Sequence, residues 1–203
     1  MSEGADELEV LKKLEEGRQT FLGLELLCGP GALVPRPETE LLGRLGIEKA
    51  KAAGPSARVI DMCCGAGNLA VALAKHRPDA RIWASDLTDD AVATARHNVA
   101  RHQIGDRVSV LQGDLFAPLQ GRCYDLIVSN PPYVDAKGMR GLPPECRHEP
   151  ALAFDGGKDG IAIVRRIIGE AGQYLMPGGG LLCEVGRCRP ALERAYPRMR
   201  FLW

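Results

Sequence analysis

The chain has no net charge to spend on a partner. Lys+Arg and Asp+Glu are both 26 in 203 residues, which excludes a global pull toward nucleic acid or an anionic membrane and leaves only local basic patches. It has no apolar run near the ~20 residues that a bilayer-spanning helix needs. Its first residues, MSEGADELEVLKKLEEG, lack the apolar centre of a signal peptide, so a cytoplasmic location is the expectation. It has no C-x-x-C pair. The seven cysteines (Cys28, Cys63, Cys64, Cys123, Cys146, Cys183, Cys188) are an odd number without metal-ligand spacing, so no metal site is expected and free thiols in a reducing compartment are. Cys123 and Cys183, in or beside apolar runs, read as buried thiols. Internal repeats and low-complexity tracts are absent too. What remains is an ordinary globular composition, with 45% hydrophobic and 26% charged residues, in a length that suits one domain.

Apolar periodicity alternates between strand and helix. Leu8, Leu11 and Leu14 predict a short N-terminal helix. A Gly/Pro-rich segment from Gly29 to Pro37 leads to a second helix carrying Leu41, Leu42 and Leu45. Strands are expected at Arg58–Asp61, Arg81–Ser85, Val108–Leu111, Tyr124–Ser129 and Leu181–Val185. Between them lie helices with Leu69, Ala72 and Leu73, and with Ala91, Val92, Ala95 and Val99. Thr88 is the expected N-cap of the latter, with Asp89 and Asp90 at its positive end. Val164, Ile167, Ile168, Ala171 and Leu175 mark a further helix, which Pro177-Gly178-Gly179-Gly180 is expected to stop. This alternation predicts an α/β fold with a doubly wound, mostly parallel sheet. Residues 134–160 form a long polar Pro/Gly-rich loop, placed to cover a site at the end of the preceding strand.

That strand closes on Asn130-Pro131-Pro132-Tyr133. Sites of open α/β sheets are built at such strand ends. The two prolines remove two backbone donors and stiffen the turn, leaving the Asn130 amide oxygen and neighbouring carbonyls as acceptors beside an aromatic ring. Such a turn suits a planar –NH2 group, an amide or an aromatic amine. The first strand runs into Asp61-Met62-Cys63-Cys64-Gly65-Ala66-Gly67-Asn68. Gly65 and Gly67 let the backbone approach a ligand at a helix N-terminus. Asp86, 19 residues after Gly67, and Asp114 end the next two strands in the same relation. Three acids around one Gly turn point to a nucleoside-type cofactor. The third Gly of a dinucleotide fingerprint is lacking, and Asp61 would repel a pyrophosphate. An acid there suits the cationic end of S-adenosylmethionine, with Asp86 on the ribose hydroxyls and Asp114 on the adenine edge.

From about residue 20 onward the chain resembles the HemK-like N5-glutamine methyltransferases, which methylate a glutamine side-chain amide in a protein substrate. The resemblance runs through Val34-Pro35-Arg36-Pro37-Glu38-Thr39-Glu40, the Asp61 turn, Asp86, Asp114-Leu115-Phe116 and the Asn130 turn. It continues through Glu149-Pro150-Ala151-Leu152-Ala153, Gly156-Gly157-Lys158-Asp159-Gly160, Pro177-Gly178-Gly179 and Glu184-Val185-Gly186. It implies the class I methyltransferase fold over residues 31–203, after a short helical extension at 1–30. It also implies that Asn130 and the Pro131 carbonyl bind the substrate amide, with Tyr133 lining its pocket and Pro132, Glu149 and Arg36 on the substrate side. Cofactor positions are then Asp61, Cys63, Gly65, Gly67, Asp86, Leu87, Asp114, Leu115 and Asn130. No strong general base is expected, and His76, His97, His102 and His148 read as surface residues.

The chain departs from the family's pattern at three places. The turn ordinarily begins D-x-G-x-G-x-G, and Cys63 stands at the first Gly. Only about 30 residues precede Val34, fewer than the helical substrate-holding domain of the family requires, and the antiparallel completion of the sheet after Arg200-Phe201-Leu202-Trp203 is missing. A homo-oligomer partner covering that sheet edge is one expectation. The resemblance favours a protein substrate, with Ala195-Tyr196-Pro197 similar to the ribosomal-protein branch and Arg36-Pro37-Glu38-Thr39-Glu40 to the release-factor branch. Alternatives are N-methylation of a small molecule, adenine methylation in nucleic acid, which needs a flipped base, and a noncatalytic cofactor-binding partner protein.

Overall fold

In a computed structural model, residues 12, 15–29 and 31–203 are described. Five strands form one parallel sheet: β3 (Arg58–Met62), β4 (Arg81–Asp86), β5 (Val108–Gln112), β6 (Tyr124–Ser129) and β7 (Leu175–Cys183), in the order β5-β4-β3-β6-β7. The chain winds outward from β3 through α2 (Asn68–His76) and α3 (Asp89–Arg101), then returns to lay β6 on the other side of β3. The strand order therefore reverses at β3/β6, where open α/β sheets part their connections and leave a crevice. The doubly wound parallel sheet expected from the alternating pattern is what forms.

Both faces of the sheet are covered, so its strands are apolar throughout. Val59, Leu126 and Val128 pack with Leu42 of α1 (Thr39–Ala52), Leu69 and Leu73 of α2 and Ala95 of α3. Ile60, Met62 and Ile127, on the opposite face, pack with Phe116 and with Ile167 of α5 (Ala162–Tyr174). Thr88 caps α3 as expected, its hydroxyl accepting the Ala91 N–H at 3.3 Å, and Ala91, Val92, Ala95 and Val99 are all buried. The four histidines are exposed or half-buried, as read. Cys63, Cys64, Cys123, Cys183 and Cys188 are free thiols, with Cys123 and Cys183 half-buried instead of buried. No helix among the described residues is long and apolar enough to cross a membrane.

Four expectations need correcting. Residues 18–27, within the segment expected to be helical, form an antiparallel hairpin of β1 (Arg18–Phe21) and β2 (Leu24–Leu27). It packs on the domain through Phe21 and Leu26, each 1% exposed. Asn98, fully buried on α3, clamps the hairpin by exchanging hydrogen bonds with the Leu27 N–H (2.7 Å) and C=O (3.0 Å). Leu8, Leu11 and Leu14 lie outside the described residues. Of the three leucines expected to mark α1 only Leu42 is buried; Leu41 and Leu45 face solvent, and Gly43, Gly46 and Ala50 complete the contact face. Helix α5 ends at Tyr174, three residues before Pro177, and β7 starts at Leu175. Leu175 pairs with Tyr124 and Gly180 with Leu126, so Met176–Gly179 bulge out between two paired positions. Glu184 and Val185 lie past the end of β7, with Glu184 tied to the end of β6 by its N–H on the Ser129 carbonyl (3.0 Å).

Candidate active site

The crevice at the carboxyl ends of β3, β4 and β6 is a cleft with three groups of walls. One is the Gly turn and its neighbours: Asp61, Cys63, Cys64, Gly65, Asn68 and Leu69. Another follows β4 and β5: Ser85, Asp86, Leu87, Thr88, Asp114 and Leu115. The last is built from Leu33, Pro35, Arg36 and Thr39, the turn residues Asn130 and Pro132, and Pro150, Leu152, Ala153 and Asp155 of the long loop. That loop, which carries α4 (Ala136–Arg140), does reach the site as its length and composition suggested.

Asp61 is the most constrained group. Gly67 gives α2 no side-chain cap, and Asp61 supplies one from the strand: its Oδ2 accepts the Ala70 N–H at 2.9 Å. Its Oδ1 is buried with no partner. Burial, with a smaller push from Asp86, raises its pKa to about 8 against the pull of the Ala70 hydrogen bond. A wholly buried acid with one free oxygen on a cleft wall is built to meet a cation. Asp86 lies beside it, accepting N–H groups from Gly65 (2.8 Å), Leu87 (2.8 Å) and Thr88 (3.3 Å). A carboxylate has about four acceptor sites, so one on Oδ2 stays open for a hydroxyl. Asp114 enters the wall with its Oδ2 held by Arg166 at 2.7 Å. These residues fit S-adenosylmethionine: an orphan acceptor for its positive end, an open acceptor for ribose, and flanking Leu87 and Leu115 for the base.

Cys63 adopts φ +59°, the left-handed region that a glycine occupies without strain. Its side chain lines the cleft, and burial pushes its thiol pKa well up, so it stays protonated. Gly67 is not in the wall. It caps α2 at φ +78°, and a Cβ there would stand 3.1 Å from the Ala95 Cβ; its role is packing between α2 and α3.

At the Asn130 turn, the amide Nδ2 donates to the Thr39 hydroxyl at 3.1 Å. The Oδ1 accepts no bond from the described residues and is left for the cleft. Tyr133 turns away from it. Its hydroxyl donates to Glu184 Oε1 at 2.9 Å, and its ring lies on Gly186, where a Cβ would come within 2.5 Å of the ring. Gly160 makes a similar close approach, its Cβ position 2.6 Å from the Tyr133 carbonyl. Two of the glycine-bearing segments singled out in the sequence thus make room for one tyrosine. Half-buried and facing Glu184, the phenol has its pKa raised by that burial and by the carboxylate, and stays neutral. Tyr133 is therefore a strut behind the turn instead of a pocket wall. Glu149 also lies behind the wall: its carboxylate, fully shielded, accepts the Val34 N–H at 2.6 Å and pairs with Arg36. It presents Arg36 to the cleft instead of meeting a substrate itself. Pro131, within the turn, is buried. Thr39, Asn68 and Ser85 were missed by sequence reading; only the position of Asn68 after the Gly turn offered a signal.

Comparison with known proteins agrees with this geometry. Residues 43–141 match the family described as Methyltransferase small domain. A ribosomal protein uL3 glutamine methyltransferase from Bradyrhizobium diazoefficiens is 52% identical over 146 residues, 72% of this chain and 46% of that protein. A release factor glutamine methyltransferase from Geobacter sulfurreducens is 42% identical over 172 residues, 84% of this chain and 58% of that one. The chain belongs to the glutamine methyltransferase family. It spans about half the length of the curated relatives it matches. A methyltransferase structure from Pyrococcus furiosus shares the fold, with a TM-score of 0.67 over 96% of this chain and 85% of that one at 16% identity. In this family the methyl donor is S-adenosylmethionine, the group the Asp61–Asp86 wall suits.

Proposed function

We propose that the chain carries the catalytic core of an S-adenosylmethionine-dependent methyltransferase acting on the side-chain amide of a glutamine in a protein. The observation that carries this is the Asn130 amide: its donor end is tied to Thr39, and its acceptor end is left for a cleft whose wall also holds Asp61 with its orphan oxygen, on the neighbouring strand. An amide nitrogen is a poor nucleophile because its lone pair is delocalised into the carbonyl. Asn130 Oδ1 and the Pro131 carbonyl, as acceptors, take both N–H bonds of the incoming –NH2. They hold its plane against rotation and stabilise the positive charge that grows on nitrogen. When bound, the cofactor supplies an electrophilic methyl group. The alkylated nitrogen sheds one proton to solvent, so no strong base is required of the chain. Pro132, Pro35 and Arg36 shape the mouth, and exposed Leu152 gives it an apolar rim.

Of the two protein substrates named for the relatives, the higher identity favours a ribosomal protein of the uL3 kind over a release factor. The test is transfer of tritium from labelled cofactor into four separate pools: ribosomal protein uL3, release factor, DNA and small-molecule amides. Label in a protein pool supports the proposal, and uL3 is the pool expected. Label only in DNA or small molecules, or cofactor binding with no transfer anywhere, sinks it.

A further inference from the structure

The acceptor end of Asn130 faces the cleft for a reason that lies two residues away. The two ends of an asparagine amide have nearly the same shape, so sterics alone do not choose between them; the hydrogen-bond partners do. Among the described residues Asn130 has one such partner, the Thr39 hydroxyl, 91 residues away in sequence and 1% exposed at the start of α1. A threonine hydroxyl owns a single hydrogen. Thr39 makes a side-chain hydrogen bond to Glu184 that favours the ionised carboxylate, as does the Tyr133 hydroxyl, which donates to it at 2.9 Å, both acting against the burial that raises the Glu184 pKa. An ionised carboxylate is acceptor only. With its hydrogen spent there, Thr39 offers Asn130 a lone pair, and only the –NH2 end of the amide satisfies a lone pair.

We infer that Glu184 and Thr39 are positioning residues that set the polarity of the substrate site by fixing which end of the Asn130 amide faces the cleft. The inference rests on the proposed role of Asn130 and adds the device that maintains it. It also gives one purpose to three separated segments: Glu38-Thr39-Glu40 supplies the hydroxyl, Asn130–Tyr133 the amide and the phenol, and Glu184-Val185-Gly186 the carboxylate and the seat for the Tyr133 ring. With the amide reversed, its –NH2 would meet the –NH2 of the substrate, donor against donor, and the site would bind a carbonyl oxygen instead.

The charges around Glu184 make the device sensitive to acid. Thr39 from α1, Tyr133 from the β6 turn and Glu38 just before α1 act on it, and Arg36 acts on Tyr133. Burial and Glu38 push the Glu184 pKa up, while the Thr39 and Tyr133 hydrogen bonds pull it down. Once protonated, Glu184 becomes a donor, the Thr39 hydrogen is released toward Asn130, and the amide turns. Activity is thus lost as pH falls through the Glu184 pKa. Tyr133→Phe, by removing one of the two bonds that favour the ionised form, moves that acid limb to higher pH.

The experiment compares Thr39→Val, Thr39→Ser, Glu184→Gln and the Thr39→Val/Glu184→Gln double variant. It measures kcat and KM for methyl transfer, cofactor affinity by calorimetry, and the Asn130 side-chain amide resonance by 15N NMR. Thr39→Val should lower kcat by about ten- to a hundredfold, short of the loss from deleting a direct transition-state contact, with cofactor affinity within about twofold. Thr39→Ser should restore most of the rate. The double variant should be about as slow as the worse single variant, since both break one chain of bonds. Wild-type kcat in Thr39→Val, failure of Ser to rescue, or additive losses would overturn the inference. The NMR arm stands apart from activity: the Asn130 amide protons should shift as Glu184 titrates in the wild type and not in Thr39→Val. If the wild-type protein methylates no glutamine substrate, the functional reading fails and this arm decides alone; resonances indifferent to Glu184 then refute the positioning role.

Discussion

The orphan oxygen of Asp61 makes a proton-linkage prediction that can be worked through. Its folded pKa of about 8 means that at pH 7 roughly nine in ten molecules of the free protein carry a protonated Asp61. A cationic amino group placed against Oδ1 favours the ionised form and expels that proton. Cofactor binding should therefore release about 0.9 proton at pH 7, about 0.5 at pH 8 and about 0.1 at pH 9. Affinity should tighten by nearly tenfold from pH 6 to pH 7 and level off above pH 8. The assay is calorimetry at pH 7 in two buffers of different ionisation enthalpy, where the slope of apparent heat against buffer enthalpy counts protons. Asp61→Asn should show no release and much weaker binding. Stability follows with a defined sign. Asp61 has its folded pKa raised above the ordinary 3.8, so between that value and about 8 the folded state holds more protons than the unfolded. The apo protein should lose stability as pH rises across the window, by up to ~1.4 kcal/mol per pH unit, and Asp61→Asn should remove that slope. Intact cofactor binding at pH 7 with no proton released would refute the reasoning.

Other predictions address separate parts of the site. Asn130→Ala should abolish methyl transfer and leave cofactor affinity within about threefold, because its contact is with the acceptor substrate; Asp86→Ala should do the reverse, weakening the cofactor first as three N–H groups lose their acceptor. Glu149→Ala strands the Arg36 charge and the Val34 N–H, at a cost of about 3–5 kcal/mol typical of a broken buried pair, read as a fall in denaturation midpoint. Cys63→Gly relieves a left-handed backbone that costs a side chain about 1–2 kcal/mol, offset by the flexibility glycine adds to the unfolded chain. Its stability should change by less than about 1 kcal/mol and its cofactor affinity hold or improve; weaker binding would show that the thiol contributes a contact.

The parts of the molecule legible in the sequence are those where one local pattern dictates one structure. Alternating apolar runs marked each of the five parallel strands, and the acids at the ends of β3 and β4 and beyond β5 fell on the cleft because strand ends always converge there. The hairpin at 18–27 was not legible. Its strands are four residues each, and the turn at Leu22-Gly23 lacks the Asn-Gly or Asp-Gly signature. What holds it is the distant Asn98. The boundary of α5 was misplaced for a different reason: Pro177 and the glycines do interrupt structure, but as a bulge inside β7 instead of a stop after a helix. Among the expected site residues, Asn130 does line the cleft, whereas two of those expected around it stand behind the wall. Tyr133 and Glu149 share segments with true wall residues, and only coordinates reveal that their polar atoms are spent on Glu184 and on Arg36 with Val34. Thr39 carries no chemical signal of its own; its place comes from α1 starting beside the β6 turn.

The central claim, that this cleft methylates a glutamine side-chain amide, is tested most directly by locating the methyl group. Ribosomal protein uL3 would be incubated with the protein and S-adenosylmethionine, digested, and sequenced by tandem mass spectrometry, with Asn130→Ala in parallel. The account predicts one added methyl on a glutamine side chain with the wild-type protein and none with the variant. A methyl group on any other residue type, or equal labelling by Asn130→Ala, would contradict it.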